Sequence, residues 1–293
     1  MILVAGGTGA LGTVLVKRLR ARFATVRVLV RDPARAVHLR DSGVELVKGD
    51  LRDSDSLRRA VTGVDTVVAA AHGFGNDDSG SPDSVDRHGN MHLVEAAAGA
   101  GAHLVLMSAV AAASSSRLDL FRAKHDAEQY LKASTAPWSI VRATAFVETW
   151  AGIMGPIVRT KGRTLVFGRG DNPINFVSVI DVAALVDRVV MDSSLRQHTF
   201  EIGGPDNISF NQFAAMVGER LGKPGPARHV PRAVLRGMAT LLGPFKPSLA
   251  RHAQAALLMD LDDMSFDDSL VRRRFVDLPS TPVRAALDAY FSR

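Results

Sequence analysis

The stretch Ile2-Leu3-Val4-Ala5-Gly6-Gly7-Thr8-Gly9-Ala10-Leu11-Gly12 decides the fold of this chain. Its four apolar residues read as a buried strand, its glycines as a tight turn, and the residues from Ala10 onward as the first turn of a helix. Gly6 permits the turn. Gly9 lets the backbone approach a ligand with no side chain in the way, and Gly12 lets the helix pack close to the strand. A helix that starts there presents free N–H groups and a partial positive charge to a phosphate. A dinucleotide pyrophosphate is therefore expected on Gly6, Thr8, Gly9, Ala10, Leu11 and Gly12.

The pattern continues outward from this turn. Apolar runs at 26–30, 44–47, 66–70, 104–107 and 139–141 alternate with segments of helical spacing. In the first of these segments, Leu11, Val14, Leu15 and Leu19 share a face, and Lys17, Arg18, Arg20 and Arg22 cover much of the rest. Near-continuous Val/Leu strands between helices imply a parallel sheet covered on both faces. The right-handed crossover makes it doubly wound. The fold class expected is α/β, a Rossmann-type sheet with a smaller, mostly helical C-terminal lobe. The domains expected are 1–145, with 174–202 returning to its sheet, and a substrate-binding lobe over 146–293. Within that lobe 174–177 and 200–202 read as strands, 180–191 and 209–221 as helices, and 222–231 as a loop. Residues 72–89, rich in Gly, Asp and Ser, read either as a lid over the carboxyl edge of the sheet or as a surface insertion.

Composition narrows the class. There is no Cys, which rules out a disulfide framework and a thiolate metal site. The nine His are dispersed along the chain, and no metal is expected. No apolar run is long enough to span a bilayer, and the start is too short for a signal peptide, so a cytoplasmic protein with no membrane partner is expected. The net charge of +6 raises nucleic acid as a partner. The 29 Arg and seven Lys are interleaved with acids, however, and only Arg272-Arg273-Arg274 forms a run. No nucleic-acid partner is expected.

Further candidates sit at strand ends. Arg31 follows the second strand, where a cation accommodates a 2′-phosphate, so NADP(H) is favoured over NAD(H). Asp32, one residue on, keeps NAD(H) open. Asp50 and Leu51 follow the third strand. The Asp50 carboxylate either accepts from an adenine amine or caps the helix beginning near Ser54. Ala70 and Ala71 end the fourth strand and would line a cofactor through their backbone. Ser108 ends the fifth strand, where its hydroxyl either bonds a substrate or nicotinamide oxygen or is satisfied by backbone.

Taken together, the glycine turn, Arg31, Gly49-Asp50-Leu51, Met107-Ser108, Lys124, Arg142-Ala143-Thr144 and Phe176-Val177-Ser178-Val179-Ile180-Asp181-Val182-Ala183 resemble the extended and atypical short-chain dehydrogenase/reductase superfamily. The segment from Ile202-Gly203-Gly204-Pro205 to Arg232 resembles its NmrA-like branch, which includes NAD(P)H:quinone oxidoreductase-like and isoflavone reductase-like proteins. The similarity runs through roughly residues 1–235.

One departure matters more than the matches. Active members of the superfamily use Tyr-x-x-x-Lys, whose spacing puts phenol and ammonium on one helical face. This chain has Leu120-Phe121-Arg122-Ala123-Lys124. Leu120 cannot transfer a proton, and Tyr130, six residues past Lys124, reads as a packing residue. The resemblance implies that Lys124 anchors a cofactor ribose or serves as the acid itself. The expected activity is NADPH-dependent reduction of a small apolar acceptor such as a quinone or enone, with Lys124 and Ser108 as catalytic candidates. The alternative is a non-catalytic NADP(H)-sensing regulatory protein. A nucleotide-sugar epimerase would need the missing Tyr. Pocket residues are expected from 74–86, from 146–156 and from the C-terminal helices; Phe146, Trp150, Ile153 and Met154 suggest an apolar pocket, although core packing is the more common fate of such residues.

Overall fold

A computed structural model of the chain describes residues 1–36, 39, 43–75 and 80–292. The strands are β1 (Ile2–Ala5), β2 (Val26–Val30), β3 (Glu45–Lys48), β4 (Thr66–Ala69), β5 (His103–Ala109), β6 (Trp138–Ala143), β7 (Ala145–Phe146), β8 (Leu165–Phe167), β9 (Pro173–Val177), β10 (His198–Ile202), β11 (Asp206–Ser209) and β12 (Arg228–Val230). Seven of them form one sheet in the order β10-β6-β5-β4-β1-β2-β3. β1 pairs parallel to both β2 and β4, with Ile2 opposite Val26 and Thr66. The sequence direction reverses at β1, which puts a crevice beyond the carboxyl ends of β1, β2 and β4. The Rossmann-type sheet read from the sequence is present.

The chain divides into two compact units. The first comprises Met1–Ala143 with Val182–Glu201. Its β1 is wholly buried, and Leu3, Leu57, Leu93, Leu104, Leu131 and Ile140 form one side of the core. Helix α1 (Ala10–Ala21) buries Leu11, Leu15, Val16 and Leu19. Val16 takes the inward place expected for Val14, because the buried face is centred near Leu15 and Leu19 and turned away from Val14. Helix α2 (Ser54–Ala60) is capped by Asp53, whose carboxylate accepts from the N–H groups of Asp55 and Ser56. Residues read as part of a loop turn out to be helical: Pro82–Gly89 is a π-helical segment closed by a Ser81/Ser84 capping box, and it runs directly into α3 (Asn90–Ala100). Residues 76–79 of that expected lid lie outside the described residues. α4 (Asp119–Ala133) follows β5 and carries Lys124. Arg142 on β6 forks onto the buried Glu128 of α4 at 2.6 and 2.9 Å and reaches Glu201 of β10 at 3.0 Å. The buried Asp187 takes both Arg18 and Arg22 of α1 at 2.9 Å.

The second unit comprises Thr144–Asp181 with Ile202–Arg293. Its strands β11, β9 and β7 form a three-stranded sheet, while β12 pairs with β8. β12 lies inside the expected 222–231 loop: three residues beside Pro and Gly give too little periodicity to read. The helices are α5 (Val147–Lys161), α6 (Val179–Met191, which passes into the first unit), α7 (Phe210–Arg220), α8 (Arg232–Leu241), α9 (Pro247–Leu261), α10 (Ser269–Arg274) and α11 (Val283–Phe291). Phe176 stacks on Phe213 with centroids 4.7 Å apart, and Trp150 meets Phe210 edge-on at 4.7 Å. Met154 is buried in the same core. Trp150 and Met154 thus take the packing role rather than that of pocket wall, while Ile153 is exposed.

Candidate functional site

The glycine turn builds the floor of the crevice. Gly6 has φ +95°, and a Cβ there would meet the Ala70–Ala71 peptide at 2.6 Å. A Cβ on Gly12 would lie 2.1 Å from the Gly6 carbonyl oxygen, so this glycine is required by the turn itself. At Gly9 the nearest atom to a Cβ is 3.4 Å away. That position is open within the protein, as a ligand-approach glycine should be. Gly9 also begins α1 with no side-chain cap and no acid in the first turn. The first N–H groups of α1 are therefore left to an anion. An open glycine beside an uncapped helix N-terminus fits a pyrophosphate.

A cleft of about 620 Å³ opens above this turn. Among the expected residues, Gly6, Thr8, Gly9, Arg31, Asp50, Leu51, Ala70 and Ala71 line it, and so does Asp32. Asp50 does not cap α2, because Asp53 does. Its carboxylate instead takes a bidentate grip from Arg52, at 2.9 and 2.6 Å. This hydrogen bond to Arg52 holds the Asp50 carboxyl below the usual carboxylate range, against the opposing pull of burial, and the charge of Arg31 acts in the same direction as Arg52. The Asp32 carboxylate accepts from Ala34 N–H at 2.9 Å and so is engaged by its own turn.

Ala10, Leu11, Gly12, Ser108 and Lys124 are not part of that lining. Ala10 is exposed at the helix start, Leu11 is buried beneath it, and Gly12 is packed on the turn. The Ser108 hydroxyl, at the end of β5, is buried with no hydrogen-bond partner, so the strand backbone does not satisfy it. The Lys124 ammonium lies 3.0 Å from Asp86 and donates to the Met107 carbonyl at 3.3 Å. Tyr130 is not a packing residue: it is partly exposed, and its hydroxyl donates to Glu95 at 2.7 Å.

Two residues enter that the sequence placed only within the broad 72–89 segment and did not single out. Asp86 is fully buried, and its second oxygen accepts from Gly73 N–H at 2.8 Å. It ties the segment after β4 to Lys124 on α4. His72 lines the cleft, and its Nδ1 accepts from Phe74 N–H at 3.2 Å. Desolvation pulls its pKa below the ordinary histidine value, Asp86 opposes this, and Lys124 adds to it. The Ser81/Ser84 capping box and Pro82 at the first helical position are the signals that could have placed Asp86 on a helix rather than in a loop.

A doubly wound sheet with an uncapped glycine turn at its switch point defines a Rossmann-type dinucleotide-binding protein. The chain belongs to the NmrA-like family, whose model matches residues 1–256. It is 32% identical over 257 residues to a (4-alkanoyl-5-oxo-2,5-dihydrofuran-3-yl)methyl phosphate reductase of Streptomyces griseus, covering 85% of this chain and 83% of that protein. It is 28% identical over 225 residues to an NAD(P)H azoreductase of Xenophilus azovorans, covering 76% and 75%. Its fold matches an NADPH-dependent quinone oxidoreductase of Escherichia coli, solved with NADPH, at a TM-score of 0.77, 22% identity and coverage of 99% and 100%.

Proposed function

We propose that this protein is an NAD(P)H-dependent oxidoreductase that prefers NADPH and reduces a small apolar acceptor of the quinone or enone class. The observation that carries this reading is the uncapped α1 N-terminus opening on a cleft whose adenosine end holds Arg31, while the nearby acids are engaged elsewhere. An acid free at that edge would favour the ribose 2′-hydroxyl of NAD(H); here Asp32 holds the Ala34 amide and Asp50 holds Arg52. The names of the relatives support a reductase, and they differ in substrate.

A bound reduced nicotinamide supplies a hydride equivalent to the acceptor. The chain's own residues bind and orient. Gly6, Thr8, Gly9, Ala10, Leu11 and Gly12 seat the pyrophosphate, Leu51, Ala70 and Ala71 border it, and Lys124 is assigned to the ribose. Asp86 lies 3.0 Å from the Lys124 ammonium and, with the Met107 carbonyl, positions it beside β5. Ser108, whose buried hydroxyl lacks a partner, is assigned the hydrogen bond to an acceptor oxygen. With Leu120 in place of the phenol, the proton comes from water. That is sufficient for a quinone, whose reduced anion needs no strong acid.

The pairing of Lys124 also favours a second reading, a redox-sensing NADP(H)-binding protein without turnover. Titration with the four nicotinamide dinucleotides, followed by a quinone and enone turnover panel, separates the two. Turnover at ordinary enzymatic rates supports the oxidoreductase. Tight binding that differs between oxidised and reduced forms, with no turnover, supports the sensor. Arg31→Ala is expected to weaken NADPH about tenfold to a hundredfold, the loss of one charge-assisted contact, and to leave NADH unchanged. Equal loss for both cofactors would remove the assignment of Arg31.

A further inference from the structure

One segment of the second unit is basic throughout. From Arg220 to Met259 there are seven cations (Arg220, Lys223, Arg228, Arg232, Arg236, Lys246 and Arg251) and no Asp or Glu. The whole chain has 36 basic and 30 acidic residues, so removing these seven leaves 29 against 30. The interleaving of charges noted above fails here, as it does over residues 1–31, where six cations precede the first acid; there Arg18 and Arg22 share the buried Asp187, and Arg27 meets Glu45. Arg220 and Arg232 are paired, to Asp288 and Asp260. Lys223, Arg228, Arg236 and Lys246 are exposed, and no acid among the described residues pairs with them.

The same segment folds as a helical hairpin, α8 and α9, whose inner side is already satisfied. Leu235, Ala253 and Ala256 are buried there, with Phe167, Val230, Met238 and Leu257 against them. The tip points the other way. Leu241 is 72% exposed and Phe245 is 82% exposed, with Val234 and Leu249 also open to solvent. The turn between the helices is not loose chain: Phe245 and Lys246 N–H both donate to the Leu242 carbonyl, at 3.0 and 2.7 Å. By helical spacing, Ala233, Val234, Gly237, Thr240 and Leu241 share one arc of α8, with Arg236 at its edge. The outer arc of a helix on an ordinary surface carries charges of both signs. This one carries none that is negative.

We propose that the tip of this hairpin docks on an anionic lipid surface, with Leu241 and Phe245 entering the headgroup–acyl boundary and Arg236 and Lys246 meeting lipid phosphates. Aliphatic and aromatic side chains rimmed by cations are the composition of an interfacial membrane segment. Nucleic acid would use the cations and gain nothing from an exposed Leu241. A spanning helix is not needed: among the described residues none is long and apolar enough to cross a membrane, and this contact is peripheral. The expectation of no membrane partner, drawn from the lack of a spanning segment, does not bear on such a surface. Few cations and one apolar tip give reversible, salt-sensitive binding.

The test is co-sedimentation of the full chain with vesicles. Binding is expected to phosphatidylcholine vesicles containing phosphatidylglycerol, weakly or not at all to phosphatidylcholine alone, and to fall as salt is raised. Leu241→Ser with Phe245→Ser is expected to weaken it at least tenfold. Arg236→Gln and Lys246→Gln are expected to weaken it about fivefold each. All four side chains are exposed, so unchanged melting temperatures are expected and confirm that the variants fold. Three results would overturn the proposal. One is no sedimentation with anionic vesicles. Another is binding to vesicles and heparin alike that ignores the apolar substitutions, which marks a general polyanion site. The last is a concentration-dependent dimer lost in the Phe245→Ser variant, which marks the tip as a contact between copies.

Discussion

At the scale of single residues, the buried ionisable groups separate into those the fold keeps neutral and those it keeps paired. His103 on β5 is buried, and its Nε2 meets Ser139 Oγ at 3.0 Å. The Ser139 hydroxyl donates to the Leu195 carbonyl, so Nε2 must be the protonated nitrogen of a neutral ring. Burial pushes the His103 pKa down to about 4 from 6.5, and the charge of Arg196 acts in the same direction. Below pH 6.5 the unfolded chain therefore binds a proton that the folded chain refuses. Stability is expected to fall as pH drops from 6.5 toward 4, by at most about 3 kcal/mol from this group. His103→Gln should flatten that part of a melting-temperature profile; an unchanged slope would assign it to other groups. Asp86 and Lys124 make the opposite case. Lys124→Met leaves a fully buried carboxylate unpaired and should cost about 3–5 kcal/mol. Adding Asp86→Asn should restore part of that loss in urea unfolding. If the double variant is less stable than Lys124→Met, the pair is not a coupled unit.

At the scale of elements, the first βα turn contains two glycines that fail differently. Gly12→Ala puts a methyl 2.1 Å from a backbone oxygen, with no flexible side chain to yield. It is expected to open the turn, lowering both the melting temperature and dinucleotide affinity. Gly9→Ala meets nothing closer than 3.4 Å. It should leave the melting temperature nearly unchanged while weakening the dinucleotide at least tenfold, because the methyl occupies the line of approach. Calorimetry with a binding titration on both variants checks this; a Gly9→Ala variant that binds normally would move the pyrophosphate elsewhere. The turn was legible because its residues are consecutive and their glycines answer to backbone sterics alone. The π-helical segment at Pro82–Gly89 was less so. Its Gly- and Ser-rich approach reads as a loop, and the Ser81/Ser84 capping box with Pro82 at the first helical position marks where helix begins.

At the scale of the whole molecule, the first unit is assembled from distant parts of the chain. β10 closes the edge of the sheet beside β6, and its Glu201 takes Arg142. Asp187, buried, holds Arg18 and Arg22, and the Leu195 carbonyl completes the His103–Ser139 chain. A fragment ending at residue 143 keeps six strands and loses every one of these partners. It is expected to lose cooperative thermal unfolding or to aggregate, as buried polar groups left without partners require. A fragment that melts cooperatively near the full chain's transition would show that 182–201 is dispensable.

By itself the sequence determined the parallel sheet, the glycine turn, the cation after β2 and the absence of the phenol, because each depends on neighbouring residues whose spacing is fixed by backbone geometry. Only the tertiary structure decided what those residues face. Asp50 could have been a helix cap or a ligand for adenine; Asp53 takes the cap, and Arg52, two residues away, grips a carboxylate that lines the cleft. Trp150 and Met154 could have been pocket wall, and packing against Phe210 and the rest of that core consumed them. Lys124 was visible from the start, but Asp86, 38 positions earlier in the chain, decides that it is a paired ammonium. Pairings of this kind are set by three-dimensional distance and burial, which no local spacing encodes.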